Sequence, residues 1–311
     1  MSNRNQNSHS DLGYSSKDKN SRSSIILPDG SFNVKRNGIQ TFNVYQYLMS
    51  TSWAKLLLIV FLFYLIINIL FGFLYLWLGP EQIYGVQGEN HFELFLQCFF
   101  FSVQSFTTVG YGGMHPLGHW ASALASLEAF CGLLTFAIIT GLVFSKFSKP
   151  SVFILFSKNL LITPFKGKAS LQVRTVNSGK GRLIDLEATM IVTFDNHEKG
   201  SPRLFRTVSL EINKIVLFPL NWTLVHKIDE QSPLHHFNFE DYKKRNVEIL
   251  IFLRGYDETY NQMVHTMRSY VFHQFVFNHK FSPMFEVDEK GTILHLDKLN
   301  ELELTEEKLE L

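Results

Sequence analysis

The chain has 311 residues, and 29 Lys and Arg against 28 Asp and Glu leave a formal charge of +1. That balance argues against a nucleic-acid-binding protein, which needs a strongly basic face. Two cysteines, Cys98 and Cys131, cannot build a multi-bridge scaffold or a four-thiolate zinc site, so the disulfide-rich and cysteine-metal classes are excluded.

Residues 1–40 are rich in Ser, Asn, Lys and Asp and poor in large apolar side chains, which predicts a mobile tail that buries too little surface to offset its chain entropy. No apolar segment with a small-residue cleavage site marks a signal peptide there, so this end is expected in the cytosol. Residues 42–52 place Val44, Tyr47, Leu48 and Thr51 at helical spacing. A short interfacial helix fits that spacing, and an extended linker is the other reading.

Residues 56–78 carry no charge and are dominated by Leu, Ile, Phe and Val; as a helix they extend about 35 Å, enough to span a bilayer. Trp53 precedes this run, Tyr75 and Trp77 close it at interface depth, and Gly79-Pro80 stops the helix. A second span is predicted over 120–144, with Glu128 inside it and Lys146, Lys149 and Pro150 at its end. No Lys or Arg lies between Lys55 and Lys146. The positive-inside bias therefore puts both termini in the cytoplasm and faces residues 80–119 outward.

After Pro150 the pattern turns to short alternating or apolar runs at 171–176, 189–194, 204–212, 222–228, 247–254 and 292–296. Turn signals at 177–179, 199–202 and 289–291 separate several of them, which predicts an antiparallel β-sandwich. The acidic, Leu-containing stretch 301–311 reads as a frayed helix or tail. The expected class is thus membrane α plus all-β, as two spans with a re-entrant pore helix and then a sandwich. Asn177-Ser178-Gly179-Lys180 lacks the first glycine of a phosphate loop, and His235-His236 has no second ligand pair at metal spacing.

Between the spans, residues 92–106 are mostly apolar, with Gln97 and Gln104, and too short to cross as a helix, so they should enter and return. Thr107-Thr108-Val109-Gly110-Tyr111-Gly112 follows at once. Non-helical backbone at membrane depth is tolerated only where protein buries it or it lines a watery cavity. A dehydrated potassium ion needs oxygen ligands, and the main-chain carbonyls of Thr108, Val109, Gly110 and Tyr111 with the Thr108 hydroxyl supply them if all point to one axis. Gly110 and Gly112 permit the alternating backbone this requires. Val109 and Tyr111 are expected to turn outward and wedge the loop against its helix, with Thr107 and Gln104 supporting the ring. One chain gives only one wall, so three identical subunits are expected to complete a homotetramer.

The stretches FFFSVQSFTTVGYG, LEAFCGLL, FSKFSKP, HKIDEQSPL and LRGYDETYNQMVHTMRSY resemble those of prokaryotic inward rectifier potassium channels, the KirBac group, over roughly residues 41–290. The resemblance implies a slide helix at 42–52, outer helix, pore helix, filter at Thr108–Gly112, inner helix and a cytoplasmic immunoglobulin-like sandwich in a bacterial plasma membrane. It implies no enzyme activity and no cofactor, potassium being the permeant ion. It puts the inner-helix glycine at Gly132 and the bundle-crossing gate at Phe144. Spacing agrees, since Phe136, Thr140 and Phe144 recur every four residues along one helix face; ordinary helix packing by these rings is the other reading. The position of the acid that holds blocking polyamines in strongly rectifying animal members is Phe136 here. Their acid–base pair behind the filter falls on positions that include Gln104 and Met114, and no cysteine stands in either outer loop.

The resemblance points Lys55, Lys146 and Lys149 at anionic lipid head groups, each cation contributing about 1 kcal/mol near a charged leaflet; simple topology anchoring remains equally open. Glu258 falls in the segment similar to the family's cytoplasmic pore loop, facing either the ion path or solvent. Glu128, an acid inside a span, is a functional candidate by default. It either hydrogen-bonds the filter loop or gates by protonation.

Overall fold

A computed structural model of the chain describes residues 24–27, 30–35, 37–38, 42–149, 153–196, 203–289 and 291–306. The expected tails over 1–23 and 307–311 and the turn at 199–202 lie outside the described residues. The chain forms two units, Gly38–Lys149 and Met1–Asn37 with Pro150–Leu311.

In the first unit, α1 (Val44–Ser50) starts where the Asn43 side chain accepts the Gln46 N–H. Ser52 caps α2 (Trp53–Leu78) in the same way through the Lys55 N–H, and Gly79 at φ +116° ends it ahead of Pro80. Strand β1 (Ile83–Tyr84) pairs with β2 (His115–Pro116), and between them runs α3 (His91–Phe106). Asn90 accepts the Glu93 N–H at the start of α3, while the Glu93 carboxylate accepts the Glu89 N–H at 2.8 Å. Helix α4 (His119–Phe147) closes the unit.

At 26 and 29 residues, α2 and α4 extend about 39 and 44 Å, beyond the roughly 30 Å of a hydrocarbon core. Only 22 % and 11 % of their most apolar stretches are buried, which is the reverse of a soluble core helix. The 16 residues of α3 reach about 24 Å, too short to cross. Gly72 lets α3 lie close against α2, since a Cβ there would stand 3.1 Å from the Phe99 Cα. Phe71, Tyr75, Ile83, Cys98 and Phe101 form the unit's small apolar core.

The second unit is built on β3 (Ile154–Phe156), β4 (Leu160–Phe165), β5 (Lys168–Asn177), β6 (Leu183–Phe194), β7 (Leu204–Val208), β8 (Lys214–Leu217) and β9 (Asn221–Lys227). A short α5 (Phe239–Lys244) precedes β10 (Glu248–Asp257), β11 (Gln262–Val271), β12 (Phe275–Phe277), β13 (His279–Phe281), β14 (Phe285–Asp288), β15 (Gly291–Leu294) and β16 (Leu302–Leu304). One sheet runs β11-β10-β6-β7 with β8 also on β6; the other runs β12-β4-β5-β3 with β9 on β5. All these pairings are antiparallel except β12 with β4. Alternate residues such as Leu171, Val173 and Leu224 from one sheet and Met190, Ile249 and Ile251 from the other share a single core, which makes a β-sandwich.

Two expectations for the chain ends meet a different arrangement. Leu302–Leu304 is a strand paired with β13 rather than a tail or frayed helix. Within the expected tail 1–40, Ile25 and Ile26 are buried beside Ile191 and Leu250. The Ile25 N–H donates to the buried Glu248 carboxylate at 2.6 Å, so a polar segment is held by two isoleucines and one hydrogen-bonded acid.

Candidate functional site

Helix α3 ends in a turn whose backbone alternates in hand. Thr108, Gly110 and Gly112 have φ of +58°, +50° and +85°, and Val109 and Tyr111 between them keep negative φ. Alternation of this kind flips successive peptide planes, which brings consecutive carbonyls toward the same side instead of the two sides of a strand. The glycines are required by conformation and not by space, because a Cβ at Gly110 or Gly112 meets nothing within 4 Å of its own chain. The positive φ of Thr108 is not foreshadowed by its residue type, since a β-branched side chain rarely takes that conformation and its strain is about 1–3 kcal/mol.

Anchoring comes from the last turn of α3. The Gln104 carbonyl accepts the N–H of Val109 at 3.0 Å and of Gly110 at 3.4 Å, and the Thr108 N–H donates to Ser105. Thr107 Oγ1 donates back to the Val103 carbonyl at 2.7 Å. Gln104 and Thr107 are therefore placed to support the turn, Gln104 through its main chain. The wedge expected of Val109 and Tyr111 does not form within one chain, where Val109 is 54 % and Tyr111 81 % exposed.

Behind the turn lies a buried polar cluster. Glu128 on α4 accepts a hydrogen bond from the Tyr75 hydroxyl of α2 at 2.6 Å and another from the Ser102 hydroxyl of α3. The Asn68 Oδ1 stands 3.1 Å from the same Ser102 oxygen, and Asn68 Nδ2 donates to the Tyr64 carbonyl at 2.7 Å. Glu128, Ser102 and Asn68 are fully buried. Glu128 thus bonds the body of the helix that carries the turn, and not the loop itself. Tyr75, expected from sequence as an aromatic at interface depth, is instead fully buried with its hydroxyl on Glu128; for Ser102 and Asn68 the one sequence signal is that Asn68 is the single amide of α2.

Gly132 lies where α4 meets the end of α3. A Cβ there would fall 1.9 Å from the Phe106 carbonyl oxygen and 2.8 Å from its carbon, so close approach alone demands glycine. Further along α4, Phe136, Thr140 and Phe144 are all exposed on one stripe, the two rings at 73 % and 71 %. Thr140 Oγ1 is turned back onto the Phe136 carbonyl at 2.8 Å.

The three lysines differ from one another. Lys146 Nζ donates to the carbonyls of Thr51, Met49 and Leu48 at 2.5, 3.3 and 3.4 Å and sits 5.4 Å from the Trp53 ring centroid. Its charge is spent on the orphan carbonyls at the end of α1, which the sequence reading as a lipid ligand or anchor did not foresee. Lys55 lies over the Tyr47 ring at 5.2 Å, and Lys149 is exposed. In the sandwich, Glu258 is 3.8 Å from Arg182 and its N–H donates to the Arg182 carbonyl, so it is half of an ion pair rather than an isolated acid.

Two family models match this chain: "Ion channel" over residues 59–149 and "Inward rectifier potassium channel C-terminal domain" over 154–307. The inward rectifier potassium channel Kirbac3.1 of Paramagnetospirillum magnetotacticum is 30 % identical over 285 residues, covering 89 % of this chain and 95 % of that one. The chain belongs to the inward rectifier potassium channel family. An inward rectifier is a membrane protein and an ion channel, not an enzyme, and α2 and α4 are its spanning helices. Among solved structures, OgpA of Akkermansia muciniphila shares 12 % identity over 40 % of this chain and 27 % of that one at a TM-score of 0.20. The DNA glycosylase AlkC of Pseudomonas fluorescens shares 8 % over 57 % and 47 % at 0.21. Both scores are below those of a shared fold.

Proposed function

We propose that four copies of this chain form a potassium-selective pore whose filter is Thr108–Gly112, with the ions held by carbonyls of Thr108, Val109, Gly110 and Tyr111. The alternating φ from Thr108 to Gly112 carries this reading. A single chain presents one wall of such a ring, and the exposure of Tyr111, Phe136 and Phe144 supports their being covered or faced by neighbouring copies. The pore helix α3 aims its carbonyl end toward the same axis, favouring a cation without a fixed acid. Gln104, Thr107 and the Glu128 cluster hold α3 and the turn in register.

Gating would lie at Phe144, where four rings make an apolar constriction that dewets when the inner helices close, while Gly132 keeps the upper half of α4 against α3. Because the chain runs from α4 into β3 through only residues 148–153, and from the segment held by Ile25 and Ile26 into α1, rearrangement of the cytoplasmic sandwiches can be transmitted to that constriction. Lys146 couples α1 to α4, leaving Lys55 and Lys149 as the cations for anionic lipid, with both termini in the cytoplasm of a bacterial plasma membrane. Glu258, neutralised by Arg182, contributes less to a cytoplasmic ion path than a lone acid does.

Rubidium uptake into liposomes holding the pure chain tests the reading. Expected are uptake blocked by barium, exclusion of sodium, and a tetramer by native mass spectrometry. Equal passage of sodium and potassium, or a stable monomer, sinks it.

A further inference from the structure

The sandwich contains a buried charged group with no counter-charge among the described residues. Arg174 on β5 is 4 % exposed, and among the described residues its Nε and Nη1 find no hydrogen-bond acceptor. Leu171 and Val173 enter the core, so Gln172 and Arg174 stand on the other face of β5 beside their cross-strand partners Val225 and Thr223. They line a cavity of about 380 Å³ walled by Phe165, Trp222 and Phe281. The guanidinium lies 4.5 Å from the Phe281 ring centroid, which fixes its plane but gives it no counter-charge.

The surrounding charges are accounted for. Glu211, on the cavity wall, is paired with Lys166 and, at 2.6 Å, with Lys227; these lysines hold its carboxyl below the usual range and so ionised. Lys280 at the rim is 3.4 Å from Glu303. Four cations therefore face two carboxylates, and the deepest cation is the unpaired one. Burial lowers the Arg174 pKa to about 10, which leaves it charged at neutral pH. A desolvated guanidinium without a partner is strongly unfavourable, and its planar fork matches the paired oxygens of a carboxylate or phosphate.

We propose that this cavity binds a small organic anion, its single carboxylate or phosphate head taken by Arg174 with Lys280 at the rim, and a flat apolar body held against Phe165 and Phe281. The volume sits at the low end of small-ligand sites, about 300–1,000 Å³, and suits one ring with its charged group. The ionised Glu211 on the same wall disfavours polyanions.

Calorimetric titration of the full-length chain in detergent tests this, with benzoate and phenyl phosphate as probes and benzamide as the uncharged control. Expected is saturable binding of at least one of the two anions, none of benzamide, at least about tenfold weaker binding in Arg174→Met and about threefold weaker in Lys280→Gln. If Arg174→Met fails to fold, Lys280→Gln and Phe281→Leu carry the same comparison. The proposal is overturned if neither anion binds the native chain below about 1 mM, or if the variants bind as the native chain does. It is also overturned if Arg174→Met dissociates the assembly while anions leave the native chain unaffected, for then a neighbouring subunit's carboxylate fills the site. None of these readouts uses ion flux, so failure here is separate from failure of the channel reading.

Discussion

The two units are organised in opposite ways. In the sandwich one large apolar cluster, from Leu160 and Leu171 to Ile249 and Ile251, fills the space between the sheets; buried polar groups such as Glu248, Arg174 and His226 accompany it without replacing it, and most ion pairs are on the surface. In the membrane unit Leu57, Phe61, Leu62 and Ile66 are exposed, whereas Asn68, Ser102 and Glu128 are fully buried where three helices meet. The difference follows from the solvent. Water drives apolar surface together at about 25 cal/mol per Å², but lipid tails are as apolar as leucine, so helices in a bilayer are specified by close backbone approach and by polar groups that need partners.

Substitutions that attack each logic should break this contrast, beginning in the membrane unit. Gly132→Ala places a methyl group 1.9 Å from the Phe106 carbonyl oxygen, and neither backbone can move without parting α3 from α4. Loss of the assembled protein is expected on size exclusion, the largest effect of the set. Glu128→Ala leaves the Tyr75 hydroxyl buried without its acceptor, Ser102 keeping only Asn68 Oδ1, and opens a cavity where three helices meet, an expected loss of about 2–5 kcal/mol. Glu128→Gln keeps an acceptor and should lose about 1–3 kcal/mol. Denaturation in detergent micelles measures both, and an alanine no worse than the glutamine would show that the cluster does not hold the helices.

In the sandwich the expected response is ordinary core behaviour. Leu224→Ala at a fully buried site should destabilise by about 2–5 kcal/mol, while Leu224→Met should lose less than about 1.5 kcal/mol, because volume and not a partner is what that site requires. A leucine-to-methionine swap as damaging as the alanine would contradict it. The membrane unit should be untouched, with potassium selectivity retained in whatever fraction stays folded.

The same contrast explains what could be read from the sequence. Long apolar runs, uncharged over 56–78 and broken only by Glu128 over 120–144, a short apolar helix before TVGYG, and alternating strands are local patterns that mark the spans, α3 and the sandwich. The Glu128 cluster bonds residues 26 to 53 positions apart, and nothing local marks Ser102 as the partner of an acid on another helix. Lys146 reads from sequence as a charge at a span's end, and only the fold brings the carbonyl end of α1 to it. Thr108 hides its unusual backbone behind a residue type that argues against it. Leu302–Leu304 is too short and too acidic to announce a strand until β13 offers it an edge. Family resemblance supplied the positions of Gly132 and Phe144, but the steric reason for Gly132 came from the distance to Phe106.

Acid should separate the two units by a smaller amount. His226 on β9 is 2 % exposed, its Nδ1 2.7 Å from the Ser209 carbonyl and its Nε2 2.8 Å from the Ser232 hydroxyl. A carbonyl can only accept, so Nδ1 bears the proton and Nε2 accepts from Ser232. Burial lowers the His226 pKa, opposed by the Ser209 hydrogen bond and by Asp229. The unfolded chain, near pKa 6.5, then binds more protons than the folded one as pH falls, so stability rises with pH. This contribution is complete above about pH 6.5 and is lost progressively below it, at no more than about 1.4 kcal/mol per pH unit. The histidines of the membrane unit, His91, His115 and His119, are exposed rather than buried. Between pH 7.5 and 5.5, rate-corrected hydrogen exchange should therefore quicken in β9 and its partner β5 more than in α4. In His226→Gln that extra quickening should vanish; if it persists, the acid sensitivity of the sandwich arises from some other group.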